Sequence, residues 1–274
     1  MRIRDLGEFK LIKRFAGSTN LDDTAVLKYK KDRYLLFTTD MLLEGRHFRK
    51  SASPYLIGKK SLSVNISDIA AMGGIPKCAV ISLGLPGSLK VKYVDAIYKG
   101  IRGVAGKFKV DLVGGDTICS KKIIINIALL GEVEKKNLVL RSGAKKGDAI
   151  FVTGSIGGSL KGKHLKFTPR LKEARFLTKN FNIHSMIDVS DGLLADLGHI
   201  LERSNVGAVI DEKAIPLTGS IEDGEDFELV FTISKKDVKK LVKSWPFKTR
   251  LSRIGEITGK EKKLPAKGYN HFKS

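Results

Sequence analysis

The stretch Val64-Asn-Ile-Ser-Asp-Ile-Ala-Ala-Met-Gly-Gly74 constrains the chain more than any other, because it sets a carboxylate, Asp68, and an amide, Asn65, among apolar and small residues. Polar groups in such a segment need partners. The apolar spacing Leu62, Ile66, Ile69, Ala70 and the closing Gly73-Gly74 predict a helix, on which Asn65 and Asp68 stand at i and i+3 and share a face. That face carries either chemistry or a hydrogen-bonded structural aspartate, and only the remainder of the chain distinguishes the two.

Strand and helix patterns alternate on both sides of this segment. Tyr34–Asp40 reads as a strand ending in an aspartate, and Ser53-Pro54 as the N-cap and first residue of the predicted helix. Further strands are predicted at 78–85, 110–113, 123–131, 149–152, 186–189, 227–233 and 251–257. Helices are predicted at 91–108, 169–179, 191–203 and 235–243. The mixture is α+β or α/β, and 274 residues suffice for two moderate domains, with a boundary expected at Lys135-Lys136-Asn137: residues 1–136 and 137–274.

Composition narrows the class. No apolar run approaches the eighteen or so residues of a membrane helix, and the N-terminus lacks the apolar core of a signal peptide, so the expectation is a cytoplasmic protein without membrane contact. Cys78 and Cys119 are solitary and match no zinc or disulfide pattern. A net charge of +21 raises a nucleic-acid partner, but the lysines are scattered as doublets without aromatic interleaving, which argues for solvated faces and against such a partner.

Against that basic background, nine of the seventeen aspartates (Asp22, Asp23, Asp40, Asp68, Asp116, Asp188, Asp191, Asp223 and Asp226) fall in short segments rich in Gly, Ser, Thr and apolar residues. Carboxylates at strand ends and tight turns suit hard divalent cations, and magnesium binds through a few carboxylates together with substrate phosphates. Singly, Asp191 also fits a helix N-terminus and Asp116 a turn. The glycine-rich run 153–162 could offer N–H groups to phosphate or be a plain turn, and no P-loop or protein-kinase signature accompanies it. Glu225-Asp226-Phe-Glu228, with His47 and Tyr269, supplies polar contacts suited to an organic substrate.

At these residues the chain resembles the thiamine-monophosphate kinase family. The resemblance runs through Asp22-Asp23-Thr-Ala-Val-Leu27, Thr38-Thr-Asp-Met-Leu-Leu-Glu-Gly-Arg-His-Phe48, Val64–Gly73, Gly114-Gly-Asp-Thr117, Arg141–Asp148, Asp188-Val-Ser-Asp-Gly-Leu193, Gly224-Glu-Asp-Phe-Glu-Leu229 and Lys267-Gly-Tyr-Asn-His-Phe272. It implies the two-domain fold of aminoimidazole ribonucleotide synthetase, with a dimerising N-terminal sheet or half-barrel domain and a C-terminal α/β sandwich domain. The activity implied is ATP- and magnesium-dependent phosphorylation of thiamine monophosphate to thiamine diphosphate, without a general base, in a homodimer. By the same resemblance Asp23, Thr38, Thr39, Asp40, Asp68, Asp116, Asp188 and Asp191 match magnesium ligands. Gly115, Asp116, Arg141 and Ser190 match ATP contacts, and His47, Glu225 and Tyr269 match contacts to thiamine monophosphate. The stretches after Gly162 and Pro216 are shorter than in the family pattern. A relative acting on another substrate is the alternative, although the cysteines do not fit the reactive thiol of selenophosphate synthetase or of the hydrogenase factor.

Overall fold

The computed structural model describes residues 22–260, together with Leu11 and Arg14. Two five-stranded sheets make up its framework. The first has the order β1-β2-β5-β3-β4, from β1 (Ala25–Lys30), β2 (Arg33–Leu43), β5 (Ile124–Glu134), β3 (Ile75–Leu85) and β4 (Asp111–Cys119). The second has the order β7-β9-β6-β10-β8, from β7 (Ile183–Asp188), β9 (Leu229–Ile233), β6 (Ala149–Thr153), β10 (Leu251–Thr258) and β8 (Gly207–Ile210). Among the described strands only β3 and β4 pair in parallel, joined through helix α2 (Val91–Phe108), so the class is α+β with helices packed on both sheets.

The helix predicted around Asp68 is α1, Pro54–Ala71. Ser53 precedes it with Pro54 at its first turn, but its hydroxyl makes no cap hydrogen bond. The polar segment's position explains its composition: α1 is buried around most of its circumference, touching β2, β5 and α2 of the first layer and α4 (Leu171–Asn180) and β7 of the second. At the α1–α2 crossing, a Cβ on Gly58 would lie 1.9 Å from the carbonyl oxygen of Ile97, and one on Gly100 would lie 2.0 Å from that of Tyr55. Two glycines therefore let the helix backbones touch.

The predicted strands and helices are present, with differences that have physical causes. Gly114-Gly-Asp-Thr117 continues β4 instead of forming a turn after a short strand. A Cβ on Gly115 would sit 1.9 Å from the Ile81 carbonyl oxygen, so the glycines permit close strand approach here. The short β8 and the N-terminal β1 escape the sequence reading, since β8 has only four residues and β1 is exposed at five of its six, so neither carries a readable alternation. Among the described residues no helix is long and apolar enough to cross a membrane.

Candidate active site

The sheets and α1 bring carboxylates together where the two layers meet. Single oxygens of Asp23, Asp68 and Asp188 all lie within 4.8 Å of one another. They arrive from three directions: the turn before β1, the last turns of α1 and the C-terminal end of β7. Thr38, on the face of β2 that looks toward α1, donates from Oγ1 to Asp68 Oδ2 at 2.5 Å. Ser67 Oγ donates to Asp188 Oδ2 at 2.6 Å, a contact between the layers that sequence inspection missed.

The electrostatics are those of anions forced together. Burial, then the charges of Asp40, Asp188 and Asp23, push the Asp68 carboxyl well above its ordinary range, and Thr38 only partly offsets this. Asp188 is raised in the same way, by burial and then Asp23, with Asp40 adding to it and Ser67 and Arg141 opposing. Asp40 thus belongs to the same field. A compact set of carboxylate oxygens with a hydroxyl beside it is a donor set for a hard divalent cation such as magnesium.

Arg141 borders the cluster. Its Nη2 donates to Asp23 Oδ1 at 2.9 Å and its backbone N–H to Asp22 Oδ1 at 2.8 Å. Burial opposes its charge, but Asp23 outweighs that and holds the guanidinium firmly protonated. On the far side, Ser190, Asp191 and Gly192 direct their backbone N–H groups to Asp196 Oδ2, at 2.9, 3.0 and 3.2 Å. Asp196, buried in the first turn of α5 (Leu193–Ser204), gathers this loop around itself; burial, then the charges of Asp191 and Asp188, raise its carboxyl well above the ordinary range. Its position in a helix's first turn was the available signal.

Asp116 and Thr39 stand apart. Thr39 Oγ1 contacts Asn126 Oδ1 at 3.1 Å on the opposite face of the first sheet. Asp116 is in register with Ser82, Ser82 with Asn126, and Asn126 with Met41, so this row crosses the outer face and not the cluster. Three strand spacings, about 14 Å, separate Asp116 from β2 within one chain. Gly115 lies in the same edge strand.

The Glu225 segment splits by role. Glu225 and Phe227 both have left-handed backbone, at φ 62° and 52°, which non-glycine residues adopt rarely. Hydrogen bonds from Glu225 N to the Ser190 carbonyl and from Phe227 N to the Val189 carbonyl, each 2.7 Å, hold that shape beside Asp188. Glu225 Oε1 accepts from Lys60 Nζ at 2.5 Å. Asp226 instead pairs with Lys163 at 2.9 Å, and Glu228 with Arg170. The glycine-rich run is bound internally: Gly157 N–H goes to Asp226 Oδ2 and Gly158 N–H to Asp223 Oδ2, at 2.8 and 2.7 Å. Of its two sequence readings, the structural turn fits these bonds.

His47 follows β2, and its Nδ1 accepts from the Leu43 N–H at 2.9 Å, which makes Nε2 the proton-bearing nitrogen of the neutral ring. Tyr269 lies outside the described residues.

Comparison with known proteins bears on the fold and the family. Residues 21–133 match the AIR synthase related protein N-terminal domain and residues 145–264 the corresponding C-terminal domain. The thiamine-monophosphate kinase of Aquifex aeolicus is 36% identical over 318 residues, covering 99% of this chain and 100% of that protein. The Bacillus subtilis protein of the same name is 34% identical, with 92% of each covered. Among solved structures, one titled "AaThiL complexed with AMPPCP and TMP" superposes with a TM-score of 0.87 at 34% identity, covering 99% of both chains. Hydrogenase maturation protein HypE, at 19% identity and a TM-score of 0.72 over 87% of this chain and 84% of its own, shares the fold.

Proposed function

The chain belongs to the thiamine-monophosphate kinase family, and from that premise we propose that the acidic cluster between its two layers is the centre of ATP-dependent phosphorylation of thiamine monophosphate to thiamine diphosphate. The observation that carries this reading is the convergence of Asp23, Asp68 and Asp188 oxygens within 4.8 Å, at the meeting of both family domains.

The acceptor in this reaction is a phosphate oxygen of thiamine monophosphate, already ionised at neutral pH, so the protein needs no general base. The obstacle is repulsion between two polyanions. Asp23, Asp68 and Asp188, with Thr38, Asp40 and Asp191 around them, are the residues that would hold magnesium. Bound there, magnesium supplies neutralisation of charge on the transferring phosphoryl group. The chain's own work is positioning. Arg141, braced by Asp22 and Asp23, offers a guanidinium to the nucleotide phosphates. Ser190 belongs to the same nucleotide-side surface. His47, with its proton on Nε2, and Glu225 contact thiamine monophosphate, and Tyr269 completes that set.

Asp116 and Gly115 enter this reading through a second copy of the chain. The outer face of the first sheet exposes Leu27, Phe37, Met41, Val80 and Ile118, an apolar surface suited to a homodimer through the N-terminal layer. Asp116 shares that face, so in the dimer it and Gly115 would serve the partner's nucleotide. A domain division at 136/137 and a cytoplasmic location belong to the same reading.

The test is ADP release with ATP, magnesium and either thiamine monophosphate or thiamine as acceptor. Turnover with the monophosphate alone is expected. No turnover with either acceptor contradicts the reading.

A further inference from the structure

Lys60 lies in the middle of α1 with 0% exposure, a rare position for an ammonium group. Its Nζ donates to Glu225 Oε1 at 2.5 Å and to the His47 carbonyl oxygen at 2.7 Å, and lies 3.0 Å from His164 Nδ1. An ammonium has three N–H groups, and these contacts fill all three. The partners come from the loop after β2, from α3 (Lys163–Lys166) and from the left-handed loop before β9.

His164 closes the arrangement. Its Nδ1 is also 3.1 Å from Glu225 Oε2. One ring nitrogen cannot accept from lysine and donate to a carboxylate together, so Nδ1 serves one partner at a time: unprotonated it accepts from Lys60, and protonated it donates to Glu225 Oε2. Burial works against ionised Glu225, yet His164 and Lys60 outweigh it and hold the carboxyl below its ordinary range. Burial lowers Lys60 itself, while Glu225 and, farther off, Asp40 oppose that, so the ammonium sits within the field of the acidic cluster.

Stability alone gives a poor account of this node, because a buried ion pair is often matched or bettered by apolar residues of similar volume. We propose that Lys60, with His164, is a positioning residue for the acceptor substrate: it locks the His47 segment and the Glu225 carboxylate in one geometry across the two layers and so sets affinity for thiamine monophosphate. The proposal rests on the functional reading above, which assigns His47 and Glu225 to that substrate.

The experiment compares wild type, Lys60→Met, His164→Gln, Glu225→Gln and the Lys60→Met/Glu225→Gln double variant. Steady-state kinetics are read with both substrates, and titrations follow thiamine monophosphate and a non-hydrolysable ATP analogue. Losing charge-assisted hydrogen bonds to the pocket should raise KM and Kd for thiamine monophosphate about 10- to 100-fold in Lys60→Met. Analogue affinity and kcat should stay within about threefold, and the double variant should be little worse than either single one, as expected for coupled residues. His164→Gln should weaken thiamine monophosphate several-fold with the same selectivity, and it carries the test if Lys60→Met does not fold. Thiamine monophosphate affinity unchanged in the folded variants, or equal loss for both ligands, overturns the proposal. An inactive wild type would instead sink the functional reading.

Discussion

Ser67 Oγ donates to Asp188 Oδ2 at 2.6 Å, joining the central helix of the first layer to the end of β7 in the second. The bond fixes one carboxylate of the acidic cluster from a residue one position before Asp68. Outer hydrogen bonds of this kind orient metal-binding groups, and their loss typically costs 10- to 100-fold in metal affinity or activity. Ser67→Ala should therefore raise the magnesium concentration giving half-maximal rate by about tenfold, with kcat at saturating magnesium nearly retained. A magnesium titration of the initial rate checks this.

Asp68 and Asp188 are held together against their mutual repulsion. Asp68→Asn and Asp188→Asn should each lower kcat by about 10²- to 10³-fold, the range for loss of a main electrostatic contributor. In EDTA the same variants should melt a few degrees higher than wild type, because a neutral amide relieves the repulsion. Calorimetry beside activity assays separates the two effects. A variant that loses both activity and thermal stability would mean that the carboxylates are structural.

A second pair sets stability in acid. Arg175 Nη1 and Nη2 donate to Glu134 Oε2 and Oε1 at 2.8 and 2.9 Å, and Nη1 also reaches the Gly73 carbonyl at 2.6 Å. Hydrogen bonds from Arg175 lower the Glu134 carboxyl to about 2, against the opposing effect of burial. A carboxyl depressed on folding stabilises the native state above its unfolded pKa, near 4.3, and that contribution fades as pH falls through the folded value. Glu134→Gln should thus cost about 1–3 kcal/mol at pH 7 and very little near pH 2. Urea melts at several pH values give the difference directly.

The outer face of the first sheet gives a test of assembly. Phe37 and Met41 are 44% and 60% exposed there, too much apolar surface to leave bare beside Leu27 and Val80. The double variant Phe37→Asp/Met41→Lys should sediment as a monomer while wild type sediments as a dimer. If Asp116 serves the partner's nucleotide, the monomer should also lose ATP binding.

Much of this was legible in the sequence because apolar periodicity and placed aspartates are local signals. Helix α2 falls on the predicted residues 91–108, and α1 follows from the spacing around Asp68. The convergence of Asp23, Asp68 and Asp188 was accessible only through family resemblance, since no local pattern says which strand ends meet. Ser67, Lys60 and His164 were hidden for a related reason: a serine, a lysine on a helix and a lone histidine look ordinary until tertiary contacts give them partners. Thr39 and Asp116 show the converse, because adjacent strand residues face opposite sides and the motif alone does not reveal which side carries the cluster.

The most direct test of the central claim is to identify the product. Wild type incubated with ATP, magnesium and thiamine monophosphate, followed by phosphorus NMR and mass spectrometry, should yield thiamine diphosphate and ADP in equal amounts, and Asp188→Asn should yield neither above background. Thiamine diphosphate at wild-type rates from Asp188→Asn, or ADP released with inorganic phosphate and no thiamine diphosphate, would contradict the account.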